Sequence, residues 1–291
     1  MKKSFKLLLL LLTATCTLYA QEPDWTHADG TLEGFTPGSQ YFTLVSDANL
    51  RDNPGTQSKV LGKLPIGTPL TVEMVSTDSF AQRGVKLPWV KVKAQLTGKA
   101  PLIGYIWGGF LALAAIQTPD DEYTPNAGVL YLTGVAAYDE ANHQLTVQVR
   151  AAKNGTELSK TEFKTQGDLS YYPSFDVKFS NLKNVKAILS VNYYYPACGY
   201  PSGDNLLFWL ENNQLNRVLE TTSVSDGGVF YDSQDYLLPY DKGGIYGHVL
   251  VVNDSAEMEE RGEELVVTKH SYKLTLYKWD GAKLLKSKEL K

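Results

Sequence analysis

Cysteine is nearly absent from this chain: among 291 residues only Cys16 and Cys198 occur. Cys16 falls within a segment that reads as a cleaved leader, so one thiol remains and no intramolecular disulfide can form. Folding must then rest on apolar cores, even in an oxidising compartment. An excess of basic charge is also missing. The 28 Lys and Arg residues are scattered and face 32 Asp and Glu residues, which excludes the electrostatic footprint of a nucleic-acid or anionic-membrane binder. The same argument disfavours charge-driven teichoic-acid binding. No apolar run reaches the roughly 20 residues that a spanning helix needs. The longest, 102–116, contains Gly104, Gly108 and Gly109 and is read as a buried closing strand.

Motifs of the common enzyme classes are absent as well. There is no Gly-x-Ser-x-Gly elbow, no His-Glu-x-x-His pair, no Cys-x-x-Cys and no phosphate-binding glycine loop. Ser180-Asn181-Leu182-Lys183 fits Ser-x-x-Lys, but it sits in a turn between strands rather than opening a helix. Cys198 has His248 and His270 downstream, the composition of a thiol hydrolase. Its setting, Pro196-Ala197-Cys198-Gly199-Tyr200-Pro201, does not favour the helix start that would hold a thiolate. No catalytic residue, cofactor or metal site is therefore expected. Asp226, Asp232, Asp235 and Asp241 lack the tight spacing of a calcium loop, and the run around Glu257, Glu259, Glu260, Glu263 and Glu264 is expected to be an exposed loop or short helix.

What is present begins with the leader. Lys2, Lys3 and Lys6 precede the leucines 7–12, and Ala20 supplies a small residue before Gln21, so 1–20 is expected to be a signal peptide. Lipidation at Cys16 is the less favoured alternative, because Thr15 stands where a smaller residue is usual. Loss of Lys2, Lys3 and Lys6 leaves 25 basic residues against 32 acidic ones, a balance of −7. The expected destination is the periplasm or the exterior, with no integral membrane segment after cleavage.

The remaining 271 residues have room for two modest domains. Residues 21–40, rich in Gly, Thr, Pro and Asp, and 115–127, with two prolines and an acidic run, read as linkers around a first domain at 41–114; a second occupies 128–291. Short β-rich segments at 41–46, 70–75, 89–94 and 104–113 suggest a small barrel. The second domain reads as antiparallel strands, with hairpins at Asn154-Gly155 and Asp280-Gly281. An echo between 207–215 and 276–284 leaves a propeller open, although a β-meander accounts for it more simply. The fold class is thus all-β: a small barrel, then an antiparallel meander arranged as a sandwich or propeller.

The run 48–70, with Asn49-Leu50-Arg51, Pro54-Gly55, Ser58-Lys59-Val60-Leu61-Gly62 and Ile66-Gly67-Thr68, resembles the bacterial Src-homology-3-like (SH3b) family. Trp89-Val90-Lys91-Val92 and Gly104-Tyr105-Ile106 continue the resemblance in order, over about 41–114. Gly62 and Gly67 are candidates for positive φ at strand corners. The resemblance implies an SH3-like barrel and a mostly non-catalytic module that often binds peptidoglycan peptides, so the expected partner is peptidoglycan or an envelope protein. Asp52-Asn53 departs from the common turn and puts contacts seen in relatives in question.

Candidate ligand-binding residues are Arg51, Asp52, Trp89, Tyr105 and Trp107 in the barrel, with Trp107 the most exposed of its three aromatics. Tyr194, Tyr200 and Tyr236 are candidates in two tyrosine-rich loops, since tyrosine offers an apolar face and a hydroxyl. The alternatives are aromatic packing within the core, a cell-wall hydrolase using Cys198, and a structural or assembly role in the envelope.

Overall fold

The structure is a computed structural model that describes residues 28–29, 34–179, 182–195, 201–227, 229–261 and 264–290. The leader, with Cys16, and the segment holding Cys198 and Tyr200 lie outside the described residues.

In chain order the strands begin with β1 (Ala28–Asp29), β2 (Gln40–Phe42), β3 (Ala48–Arg51), β4 (Val60–Leu64), β5 (Pro69–Gln82), β6 (Val85–Ala94) and β7 (Leu102–Trp107). A 3₁₀ turn, Gly108–Phe110, follows, then β8 (Ala114–Gln117), β9 (Leu130–Asp139), β10 (Gln144–Lys153) and β11 (Thr156–Gln166). The last group is β12 (Tyr172–Lys178), β13 (Val185–Tyr194), β14 (Ser202–Leu210), β15 (Leu215–Asp226), β16 (Phe230–Leu237), β17 (His248–Arg261), β18 (Glu264–Trp279) and β19 (Leu284–Leu290). They make three sheets: β2-β5-β6-β7-β3-β4, β1-β8-β9-β10-β11, and β12 through β19 in sequence order. The described residues are all-β, as the strand-like segments and turn signals implied.

The first sheet curls into a barrel around Leu50, Leu64, Leu70, Val72, Val90, Val92 and Ile106. After the 3₁₀ turn the chain comes back against the first strand region, with Thr43 bridging Leu111 and the Leu44 amide donating to the Phe110 carbonyl at 2.8 Å. The expected single closing strand at 104–113 is therefore split. Its second half leaves the barrel at once, because the Leu113 amide already donates to Thr133 of β9 at 2.8 Å.

This handover puts a strand at the start of the expected linker. Residues 115–117, read as the start of a linker, continue from Ala114 as β8, which is largely buried. Their alternation explains it: Ala115 faces the barrel residues Leu44 and Ile66, whereas Ile116 faces the opposite core with Tyr131 and Val147. β9 is accordingly buried on both faces along its first half. Gly134 makes the approach close enough, since a Cβ there would lie 2.5 Å from Leu44 Cδ2. Fully burying each such Leu or Ile is worth about 1.5–3 kcal/mol. The barrel and the middle sheet are thereby joined by a continuous apolar contact.

β5 and β6 extend past the barrel as a long hairpin whose turn is Arg83-Gly84, both with positive φ. Such a two-residue turn matches the right-handed twist of the flanking strands. Its tip rests on the middle sheet, where the Tyr138 amide donates to the Arg83 carbonyl at 2.9 Å.

The eight-stranded sheet is a meander and not a set of propeller blades, because each strand pairs with its sequence neighbours. One face of its first strands, with Leu189, Val191, Leu207 and Trp209, packs on the middle sheet through Val147 and Phe163. The alternate residues Ile188, Leu206 and Phe208 face a second core closed by Val249 and Trp279. The hairpins at Asn154-Gly155 and Asp280-Gly281 form where the sequence puts them. The acidic run is different: Glu257, Glu259 and Glu260 lie at the end of β17 and Glu264 opens β18, the strands pairing out to Arg261 and Glu264, while Glu263 lies outside the described residues.

Candidate functional site

Strand register brings three barrel residues into a row. Tyr105 of β7 is opposite Arg51 of β3 on one side and Lys91 of β6 on the other, so the three side chains share a face. Arg51 is anchored by a hydrogen bond from Nη1 to the Ser58 carbonyl at 2.6 Å, and Ser58 Oγ donates to the Pro54 carbonyl at 2.9 Å. The Asp52 amide donates to the Lys59 carbonyl at 3.0 Å, which leaves its exposed carboxylate on the rim of that turn. Gly55, at φ +112°, allows the reversal, and Gly104 lets β7 approach, because a Cβ there would lie 2.6 Å from the Arg51 carbonyl oxygen. Gly67 has the expected positive φ, +73°; Gly62 lies within β4 without one. Lys91 also pairs with Glu73 at 3.6 Å, in an exposed contact that contributes little to stability.

Trp89 and Trp107 lie opposite one another on the same outer face of the barrel. They are not ligand-accessible. Trp89 is 5% exposed and Trp107 6%, inside the core shared with Val85, Leu113, Tyr131 and Val135. The Trp107 indole N–H donates to the carbonyls of Phe80 at 3.0 Å and Leu87 at 3.2 Å. Trp107 is thus a buried residue, contrary to the expectation that it is the most exposed of the three; Tyr105 is the half-buried one. The aromatic outer face docks the barrel onto its own chain. The sequence could not distinguish this from a ligand platform, because both demand apolar rings on the outside of a small barrel.

The tyrosines of the last sheet divide similarly. Tyr171, Tyr193 and Tyr195 form a buried cluster with ring centroids 6.0–6.3 Å apart. Tyr194 alternates outward and is 59% exposed. Tyr236 is half-buried and donates through its hydroxyl to Asp204 Oδ2 at 2.5 Å; Ser190 Oγ donates to the same oxygen. Burial holds the Asp204 carboxyl above the ordinary carboxylate range, against the pull of those two hydrogen bonds and with Asp176 and Asp235 adding to the rise. Burial, then the Asp204 charge, likewise pushes the Tyr236 phenol up. Tyr236 is thus committed to a structural hydrogen bond. His248 Nδ1 lies 2.9 Å from the Tyr246 carbonyl and His270 Nε2 2.7 Å from Asp254 Oδ1, both along the last hairpins. Among the described residues no group of three or more metal-ligating side chains converges.

Residues 46–112 match the family model for the bacterial SH3 domain. No curated protein and no solved structure matches the chain. The matched SH3 module spans β3 to β7 with the Arg51-Tyr105-Lys91 row, leaves out β2, and ends just before β8 enters the middle sheet.

A second feature of the SH3 module was invisible to sequence reasoning. Where its 65–69 loop meets the tip of the Asn154-Gly155 hairpin, an open cleft of about 440 Å³ lies between module and middle sheet. Gln95 and Lys99 come from the module, Gln117 and Asn154 from the middle sheet. The only signal in the sequence was the Asn-Gly turn, which marks a hairpin but not the surface it faces.

Proposed function

We propose that this chain is an exported, non-catalytic binding protein of the bacterial envelope, whose SH3 module recognises a peptide of the cell wall or another extracytoplasmic peptide. The observation that carries this reading is the Arg51-Tyr105-Lys91 row on a barrel matched to the bacterial SH3 family. Arg51, held by the Ser58 carbonyl, and Lys91, in an exposed pair with Glu73, flank a half-buried phenol there, an arrangement suited to peptide carbonyls and carboxylates. Asp52 on the adjoining turn supplies an acceptor for an amino group. The lysine-rich, leucine-rich leader favours export, and the partner is peptidoglycan or an envelope protein.

Co-sedimentation of the full mature chain with purified sacculi at low salt tests the proposal. Binding is expected, with at least a fivefold loss in Arg51→Ala while the far-UV spectrum and unfolding midpoint stay near those of the wild type. Failure of the wild-type chain to pellet with sacculi rejects the wall as ligand.

A further inference from the structure

We infer that the cleft between the SH3 module and the middle sheet is a second binding site, one that takes a peptide through a carboxylate group. Charge is the first argument. The chain carries a formal net charge of −4, yet the cleft is lined by Lys99 and Lys153 and by no Asp or Glu. Lys153 is fixed, its Nζ donating to the Ala127 carbonyl at 2.5 Å and lying 3.5 Å from Asp120 Oδ1. Lys99 is exposed and makes no ion pair among the described residues, which leaves its charge for a ligand.

The form of the cleft argues for a peptide. Gln95, Gln117 and Asn154 are primary amides, which donate and accept as a peptide group requires. Beside them lie the exposed rings of Pro65 and Pro69 and the half-buried Leu96, a surface suited to an aliphatic side chain. The single aromatic residue of the lining, Phe42, is only 6% exposed. A sugar-stacking platform is therefore lacking.

Both walls are held in place before any ligand arrives. Buried Thr43 donates through Oγ1 to the Pro65 carbonyl at 2.5 Å and accepts from the Thr68 amide at 2.8 Å, while Thr68 Oγ1 donates to Pro65 at 2.7 Å. On the other side, buried Thr118 donates to the Asn126 carbonyl at 2.6 Å and accepts from the Val129 amide at 2.9 Å. Gly67 and Gly155, both at positive φ, bring backbone against the opposite wall: a Cβ on Gly67 would lie 2.9 Å from Leu130 Cδ2, and one on Gly155 3.1 Å from Pro65 Cβ. Walls fixed in this way need little ordering on binding, which favours affinity.

The test is calorimetric titration of the full mature chain with three capped peptides. Ac-Gly-Gly-Gly with a free terminus presents an α-carboxylate, Ac-Gly-Gly-Glu amide a side-chain carboxylate, and Ac-Gly-Gly-Gln amide no charge. At least one acidic peptide is expected to bind about tenfold more tightly than the neutral one, and which of the two does so identifies the carboxylate's source. Lys99→Gln should remove that tenfold preference, whereas Arg51→Ala should leave it intact. Absence of binding by both acidic peptides, equal affinity for the neutral one, or an unchanged preference in Lys99→Gln overturns the inference. Loss in Arg51→Ala alone would place the carboxylate on the barrel row instead. Sacculus binding depends on Arg51, so the two proposals fail separately.

Discussion

Gly84 offers a direct measure of how firmly the long SH3 hairpin is joined to the rest of the chain. It sits at φ +80°, and a Cβ there would lie 1.9 Å from the Tyr138 carbonyl oxygen and 3.0 Å from its carbon. Neither atom is the free end of a side chain, so Gly84→Ala must lift the hairpin from β9. Placing an L-residue in the left-handed region costs about 1–2 kcal/mol, and losing the Tyr138-to-Arg83 hydrogen bond costs about 1 kcal/mol more. The shift also loosens Val85 and Leu87, 1% and 4% exposed, each of which is worth about 1.5–3 kcal/mol when fully buried. A total of about 3.5–6 kcal/mol is expected if roughly half of that burial is lost. Gly98 is the internal control, since it has φ +69° and nothing within 4 Å of its would-be Cβ, so Gly98→Ala should cost only about 1–2 kcal/mol. Urea unfolding followed by tryptophan fluorescence reads both, because Trp89 and Trp107 report on the junction and Trp209 and Trp279 on the last sheet. Equal destabilisation by the two substitutions would refute the claim that the hairpin is locked onto the middle sheet.

Trp107→Ala should destabilise by about 3–5 kcal/mol in the same assay, as expected for a buried tryptophan, while sacculus binding per folded molecule is unchanged. Trp107→Phe should cost less, and reduced binding by stably folded Trp107→Phe would return that residue to the ligand site. For Asp204 the sign follows from a raised carboxyl: its stabilising contribution is fully present below its unfolded value near pH 4, and is lost as pH rises through the higher folded value. Asp204→Asn should therefore lose less stability than the wild type between pH 4 and 7, read from urea midpoints across that range. Parallel pH profiles would show that Asp204 does not titrate as its burial implies. The losses expected for Arg51→Ala on sacculi and for Lys99→Gln with acidic peptides complete the set.

The sequence by itself determined the strand grammar. β-Branched and aromatic segments, Asn154-Gly155 and Asp280-Gly281 specified strands and turns locally, since alternation and turn chemistry are written in neighbouring residues. The barrel was legible for the same reason, as its motifs recur in order along one stretch, now matched over residues 46–112. Only the tertiary structure decided what the outward-facing groups meet. Trp89 and Trp107 carry the same pattern whether they face a ligand or another sheet, and the burial of Ala115 and Ile116 on opposite sides depends on layers contributed by residues far away in the chain. The cleft is the extreme case. Lys99 and Asn154 are 55 positions apart and neither is distinctive alone, so their meeting depends on how the SH3 module packs against the middle sheet. Among the described residues, which hold no cysteine, that packing is carried by apolar side chains and buried hydrogen bonds, whose partners a sequence does not name.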